Sequence, residues 1–203
     1  MNKGAILIVS GPSGCGKSTI LKEVLKDIPD YYFSISTTTR APRVGEQNGV
    51  DYYFVSKEEF EQGIREGSFL EYAKVHDNYY GTSLSPIIEA LNKGKLVIFD
   101  IDVQGHLIVR KELSDVVTSV FITTPTLKIL EERLNNRKTD SKEIIEKRVI
   151  NAKKEIEFFQ DYDYLVINDN LEKATQDVLY IAKIAKAKSK IVNQEELIKK
   201  WLK

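Results

Sequence analysis

The chain has one cysteine, Cys15, among 203 residues. A lone thiol forms no internal disulfide, which excludes a disulfide-stapled scaffold and suits a reducing, cytoplasmic compartment. Net charge is also missing, because 30 Lys and Arg residues offset 30 Asp and Glu residues. That balance argues against a general nucleic-acid or membrane-binding surface, so any strong positive field has to be local. No apolar run is long enough to span a bilayer. The N-terminus carries one lysine before a core-strand pattern, unlike a cleaved signal. Internal repeats and low-complexity tracts are absent. Histidine is scarce: His76 sits in a polar loop and His106 on a helix expected after Gly105. Each reads as an ordinary surface or packing residue, which leaves no convincing general base. What remains is 42% hydrophobic, enough for one domain over 1–203 with a sizeable core.

Against these absences stands one dense motif. Residues Gly11, Pro12, Ser13, Gly14, Cys15, Gly16, Lys17 and Ser18 match the phosphate-loop pattern G-x-x-x-x-G-K-[ST]. The apolar run Ala5-Ile6-Leu7-Ile8-Val9 before it predicts a buried strand. Thr19 and the apolar pairs after it predict a helix. Strand, glycine loop and helix together aim backbone N–H groups and a helix N-terminus at an anion. The glycines let the backbone approach a crowded triphosphate. Lys17 supplies a charge for the β- and γ-phosphates, and the Ser18 hydroxyl a ligand for Mg²⁺.

Strand-like runs at 5–9, 96–101, 116–122 and 164–167, with helical patterns at 17–27, 126–136 and 171–189, predict an α/β fold with a mostly parallel sheet. Two stretches interrupt the alternation. Residues 37–83 are rich in Thr, Tyr, Gly and charge, with strand candidates at 52–55 and 69–72. Residues 128–157 are nearly all charged or helical. Both read as excursions from the core. Residues 193–203 predict a short terminal helix.

The first excursion opens with Ser36-Thr37-Thr38-Thr39-Arg40-Ala41-Pro42-Arg43, just beyond an expected strand Phe33-Ser34-Ile35. Ligands of open α/β sheets bind beyond strand carboxyl ends. Arg40 and Arg43 offer planar forks suited to phosphate oxygens, and Pro42 holds Ala41 extended, which helps splay them. A solvated turn with two surface arginines is the competing reading of this segment alone.

Several further strings agree in order and spacing with one family. GPSGCGKST, SISTTTRAPRVGEQNGVDYYF, FLEYAKVHDNYYGTS, VIFDIDVQG, the stretch ending KTDSKEIIEKR, and YDYLVIND make residues 4–189 resemble guanylate kinases. The resemblance implies transfer of the ATP γ-phosphoryl group to GMP (and dGMP), giving ADP and GDP. It implies a P-loop NTPase core with a five-stranded sheet over about 1–35, 84–127 and 158–203, a GMP-binding α+β insert over 36–83 and a helical lid over 128–157. Arg40, Arg43, Tyr52 and Tyr80 fall where the family grips the GMP phosphate. Ser36, Glu71 and Thr82 fall where it reads guanine, with Asp102 assisting. Arg133, Arg137 and Arg148 fall on lid and phosphoryl-clamping positions. Asn168 and Asp169 lie near the adenine end of ATP, and Asp100 near Mg²⁺, reached through water. Thr82 replaces the serine of some relatives, Asn170 a frequent aspartate, and Lys138 a frequent glycine or arginine.

The chemistry fits those assignments. A phosphate monoester has a second pKa of about 6, so the acceptor oxygen is largely ionised at neutral pH and needs no base. The obstacle is repulsion between two anions, which positioning and positive charge overcome. Guanine presents two adjacent donors to a carboxylate such as Glu71, and O6 to a hydroxyl; adenine leaves those groups unpaired. Two alternatives stay open at this stage: a non-catalytic interaction module of the same fold, and a kinase for another nucleoside monophosphate. The choice between monomer and homodimer also stays open.

Overall fold

The computed structural model describes residues 3–75, 77–136 and 141–203. The elements run β1 (Ala5–Ser10), α1 (Lys17–Val24), β2 (Tyr31–Phe33), β3 (Thr37–Thr38), β4 (Tyr53–Phe54), α2 (Lys57–Arg65), β5 (Phe69–Val75), β6 (Asn78–Ser83) and α3 (Leu84–Asn92). They continue as β7 (Leu96–Asp100), α4 (Val103–Leu113), β8 (Val117–Thr123), α5 (Leu127–Asn136), α6 (Lys142–Glu155), β9 (Tyr164–Ile167), α7 (Leu171–Ala185) and α8 (Gln194–Trp201).

Five strands form an all-parallel sheet in the order β2-β7-β1-β8-β9, as the α/β pattern predicts. β1 is central and buried on both faces, so its sequence is continuously apolar. Its residues still alternate between two cores. Ala5, Leu7 and Val9 pack with Ile20, Leu21 and Val24 of α1 and Val178 and Ala182 of α7. Ile6 and Ile8 pack with Ile87 of α3, Phe99 of β7 and Val109 of α4. The chain winds one way from β1 to β7 and β2 and the other way to β8 and β9, so the order reverses at β1. Beyond the carboxyl end of a strand at such a switch point lies the crevice where open α/β sheets bind ligands.

A second sheet, β4-β3-β6-β5, occupies the first excursion. The sequence reading finds β4 and the start of β5 but not β3, β6, α2 or α3. β3 is only two residues long and contains no period to detect. α2 does carry a readable start: Ser56 caps the Glu59 N–H and Glu59 returns a bond to Ser56, a complete capping box. Phe60 of α2 stacks on Phe69 at 4.2 Å and on Tyr79 at 5.2 Å, which pins the helix to the sheet.

The strand expected at Phe33-Ser34-Ile35 lies slightly earlier, at Tyr31–Phe33. The second excursion is less separate from the core than its charge suggests. Leu130 and Leu134 of α5 and Ala152 of α6 are core residues, with Ile145 and Val149 packed against them. Charged side chains on the outer faces outnumber these few inward positions and mask their period.

Candidate active site

The loop from β1 to α1 has the backbone its glycines require. Gly11 has φ 142°, and a Cβ there would lie 1.9 Å from the Ile122 carbonyl oxygen of β8. Gly16 precedes α1 in the left-handed region at φ 101°, and a Cβ would lie 2.3 Å from Asn168 Nδ2. No side chain caps α1, so its first N–H groups stay open to an anion. Lys17 Nζ donates to the Gly11 carbonyl at 2.6 Å, which holds the ammonium across the loop.

Around Lys17 lies a cleft of about 330 Å³, lined by Ser13, Ser18, Asp100, Asp102 and Glu155 together with the loop glycines. Asp100 ends β7 and opens into it. Desolvation by the cleft walls raises its pKa, and Lys17 opposes that rise. Glu155 is raised in the same way, with Lys17 lowering it and Asp102 raising it. Asp102 also caps α4, accepting from the Gly105 N–H at 2.9 Å. From α6, Arg148 donates to Ser13 Oγ at 2.7 Å, so an arginine more than a hundred residues away touches the phosphate loop.

A neighbouring cleft of about 310 Å³ is lined by Gly14, Gly16, Thr19, Arg133, Asn168, Asp169 and Leu171. Asn168 donates through Nδ2 to the Cys15 carbonyl at 2.7 Å. Arg133 donates to the Asn168 carbonyl at 2.9 Å and the Cys15 carbonyl at 3.4 Å. Arg133 thus braces the back of the loop on the Asn168 side. Pro12 turns toward a separate apolar groove beside Leu127, Leu130 and Ile156. Arg137 lies outside the described residues, as do His76 and Lys138.

Cys15 sits in the loop just before α1, yet its thiol is not activated there. The residue is fully buried in the core, and burial pushes the thiol up despite the opposing effect of Lys17. His106 is a packing residue, fully buried and stacked on Tyr162 at 3.9 Å.

The small sheet assembles the other candidates. Arg40 Nη2 donates to both Glu46 carboxylate oxygens, at 2.8 and 2.9 Å, and Nη1 to the Ala41 carbonyl at 2.8 Å. Its guanidinium lies 5.3 Å from the Tyr52 ring centroid, and Tyr52 meets Tyr80 edge to face at 6.2 Å. Glu46 chiefly, and Tyr80 less, hold Arg40 charged beyond the usual arginine range. Arg43 is exposed next to this group. Further along β6, Thr82 donates its hydroxyl to Glu71 at 2.6 Å across the β5–β6 pair. Thr37 pairs with Gly81, so Ser36 and Thr82 flank one rung of the ladder. Tyr80 and Thr82 are two residues apart, hence on one face of β6 and about 7 Å apart along it. One face therefore carries cationic and phenolic groups at one end and a carboxylate–hydroxyl pair at the other.

Two side chains at these sites escape the sequence reading. Glu155 stands seven residues after Arg148, a spacing that puts both on one face of α6, but many charges there share such spacings. Glu46 follows Arg43 by three residues, the interval of a side chain that turns back on its own loop.

A phosphate loop at the sheet's switch point, beside a separate anion-and-carboxylate platform, defines a phosphate-loop enzyme that handles two ligands. The comparisons specify which. The family model "Guanylate kinase" matches residues 3–183. The guanylate kinase of Helicobacter pylori is 55% identical over 196 residues, covering 97% of this chain and 95% of the relative. That of Sulfurimonas denitrificans is 52% identical over 198 residues, covering 98% and 96%. Among solved structures, guanylate kinase from Anaplasma phagocytophilum superposes with a TM-score of 0.74 at 31% identity, covering 97% of this chain and 94% of that one. The chain belongs to the guanylate kinase family.

Proposed function

We propose that the phosphate-loop cleft holds ATP and the face of the small sheet holds GMP, and that the chain transfers the γ-phosphoryl group between them. The observation that carries this division is the face of β6. The Arg40, Tyr52 and Tyr80 group suits a phosphate, and the Glu71–Thr82 pair suits the donor edge and O6 of guanine. Both ends of one mononucleotide are served by one rigid strand.

Lys17 and the open N-terminus of α1 bind the transferring phosphates, and Asn168 and Asp169 flank the adenine end. The GMP phosphate attacks as an anion, so Arg40, Arg43, Arg133, Arg137 and Arg148 screen repulsion and no residue removes a proton. Lys17 leaves the Gly11 carbonyl to reach the incoming phosphates. Closure of the α6 side over the loop, where Arg148 already reaches Ser13, excludes water and prevents hydrolysis of ATP.

Mg²⁺ fits the donor set. Ser18 and Asp100 give a hydroxyl and a carboxylate on the same cleft, and the described residues contain no three-carboxylate or histidine cage. Few protein ligands suit an ion that keeps its waters and binds mainly phosphate oxygens. When bound, it would neutralise charge on the β- and γ-phosphates. Among the described residues no helix is long and apolar enough to cross a membrane; we place the chain in the cytoplasm, with nucleotides and no nucleic acid as its partners.

The test is a coupled assay of ADP formation with MgATP and GMP, dGMP, AMP, UMP or dTMP side by side. Preferential turnover of GMP and dGMP is expected. Equal or faster turnover of AMP or dTMP would sink the guanine assignment.

A further inference from the structure

We propose that Glu46 is a positioning residue for the acceptor phosphate, one that sets Arg40 and Arg43 apart so that both face a single anion. The inference rests on the reading of this face as the GMP site and goes beyond it, because Glu46 itself offers nothing to an anion.

The geometry is specific. One carboxylate reaches two partners at once. Both of its oxygens accept from Arg40 Nη2, and Oε2 also accepts from the Arg43 backbone N–H at 2.7 Å. The Glu46 N–H in turn donates to the Arg43 carbonyl at 3.1 Å, which closes the turn on itself. Arg43 is thus held by its main chain at both polar groups while its guanidinium projects into solvent. Arg40 is held by its head. Its Nη2 edge is committed to Glu46 and Nη1 to the Ala41 carbonyl, with the guanidinium carbon 5.3 Å from the Tyr52 ring, which itself meets Tyr80. Glu46 therefore fixes one arginine by its tip and the other by its backbone, with Oε2 shared between them. The Arg40 and Glu46 side chains are only 15% and 19% exposed, so the pair is far less screened than an ordinary surface ion pair. Its carboxylate sits below the ordinary glutamate range, first because of the Arg43 N–H bond and then because of Arg40. It stays ionised wherever the acceptor does.

A gate that merely occupied the phosphate's place would need only the Arg40 contact. The backbone bond to Arg43 is what a positioning device adds. The two ideas differ in sign: removing a competitor tightens GMP binding, whereas removing a support weakens it.

The experiment compares Glu46→Gln and Glu46→Ala with the parent chain. It measures KM for GMP at saturating MgATP, KM for ATP at saturating GMP, and inhibition by guanosine, which carries the base without the phosphate. Glu46→Ala should raise KM for GMP by about ten- to a hundredfold, as loss of charge-assisted hydrogen bonds does. Glu46→Gln, which keeps an acceptor for the Arg43 N–H, should raise it less. KM for ATP and inhibition by guanosine should stay within about twofold, because neither uses the acceptor-phosphate grip. An unchanged or lowered KM for GMP overturns the proposal, the lowered value pointing to a competing anion. Equal weakening of guanosine also overturns it, since that marks a residue supporting the whole insert. If Glu46→Ala fails to fold, Glu46→Gln carries the same comparison. Failure of the parent chain to phosphorylate GMP overturns the acceptor reading together with this one, and is seen before any variant is made.

Discussion

His106 provides a sharp test of how the core beneath the active site is built. The residue is fully buried, neither ring nitrogen has a partner among the described residues, and the ring stacks on Tyr162. Burial, helped by Arg110, pushes its pKa down to about 4 from the ordinary 6.5, against the smaller opposing pulls of Asp163 and Asp161. Above the unfolded value both states are neutral and the native state keeps its full stability. As pH falls through 6.5, the unfolded chain takes up a proton that the folded chain refuses, so stability is lost down to about pH 4. Between pH 7 and pH 5 this single residue should cost about 2 kcal/mol. For a domain of this size that is a fall in Tm of roughly 4–8 °C. His106→Phe keeps a flat ring for the stack and removes the unpartnered nitrogens, so it should be at least as stable at pH 7. Thermal unfolding of both proteins across pH 4.5–7.5 isolates the contribution, because the other titrating groups are common to both. Parallel pH dependences for the two proteins would refute the reasoning.

Three further outcomes follow from the site itself. Lys17→Ala should lower kcat by about 10²–10³-fold or more, by analogy with loss of a preorganised transition-state donor. Because its bond to the Gly11 carbonyl stays within the loop, Tm should move little; a kcat near the parent value contradicts the phosphate-loop mechanism. Glu71→Gln should weaken GMP by roughly ten- to a hundredfold while leaving ATP alone, since a charged acceptor of two donors becomes neutral; titration calorimetry with each nucleotide decides, and equal losses count against the guanine role. Asp100 carries a raised pKa, so its folded form resists ionisation and its contribution to stability falls as pH rises above the ordinary aspartate value. Asp100→Asn should therefore raise Tm at pH 7 while raising the Mg²⁺ concentration needed for half-maximal activity; a lowered Tm speaks against the desolvation argument.

The donor half of the site was legible because its physics is local. A strand, a glycine loop and a helix start are consecutive, and each glycine answers a contact that only backbone can make, as Gly11 does against Ile122. Four strands of the sheet, β1, β7, β8 and β9, were legible as apolar runs, whereas the short, half-exposed β2 lies two residues before its expected place and the count of five came from the resemblance. The acceptor half was not. Ser36, Arg40, Tyr52, Glu71, Tyr80 and Thr82 come from four separate stretches, and the ladder that joins them runs through the two-residue strand β3 and the unforeseen β6. The pattern offered only Arg40 and Arg43 as an anion grip, with a solvated turn as its rival; the roles of the others were reached by resemblance. Glu46 was hidden differently: an acid in a charged loop is usually solvated, and only a fixed geometry shows it bonded to both arginine segments. The burial of Cys15 was equally invisible, because the core cluster it joins includes residues of α5, α6 and α7, more than a hundred residues away.

On the proposed assignment, the two halves solve the same electrostatic problem by different means. The donor loop is part of the core. Cys15, Ile20 and Leu21 are buried, Asn168 bonds the loop backbone, and Arg133 braces it from behind. Its positive character comes largely from N–H groups that cannot move, which suits a ligand whose phosphates must be held in one place. The acceptor face has a thin core, essentially Phe60 with its aromatic neighbours, and takes its charge from side chains. Long arginines would ordinarily pay a rotamer cost on binding, and a local brace lowers that cost before substrate arrives. Tying Arg40 and Arg43 to one short loop does this while Arg43 stays exposed and the half-buried Arg40 stays paired with Glu46. Such a platform keeps its internal geometry even if it shifts as a unit relative to the core. Bringing two anions into line then requires closing a distance, not reorganising either site.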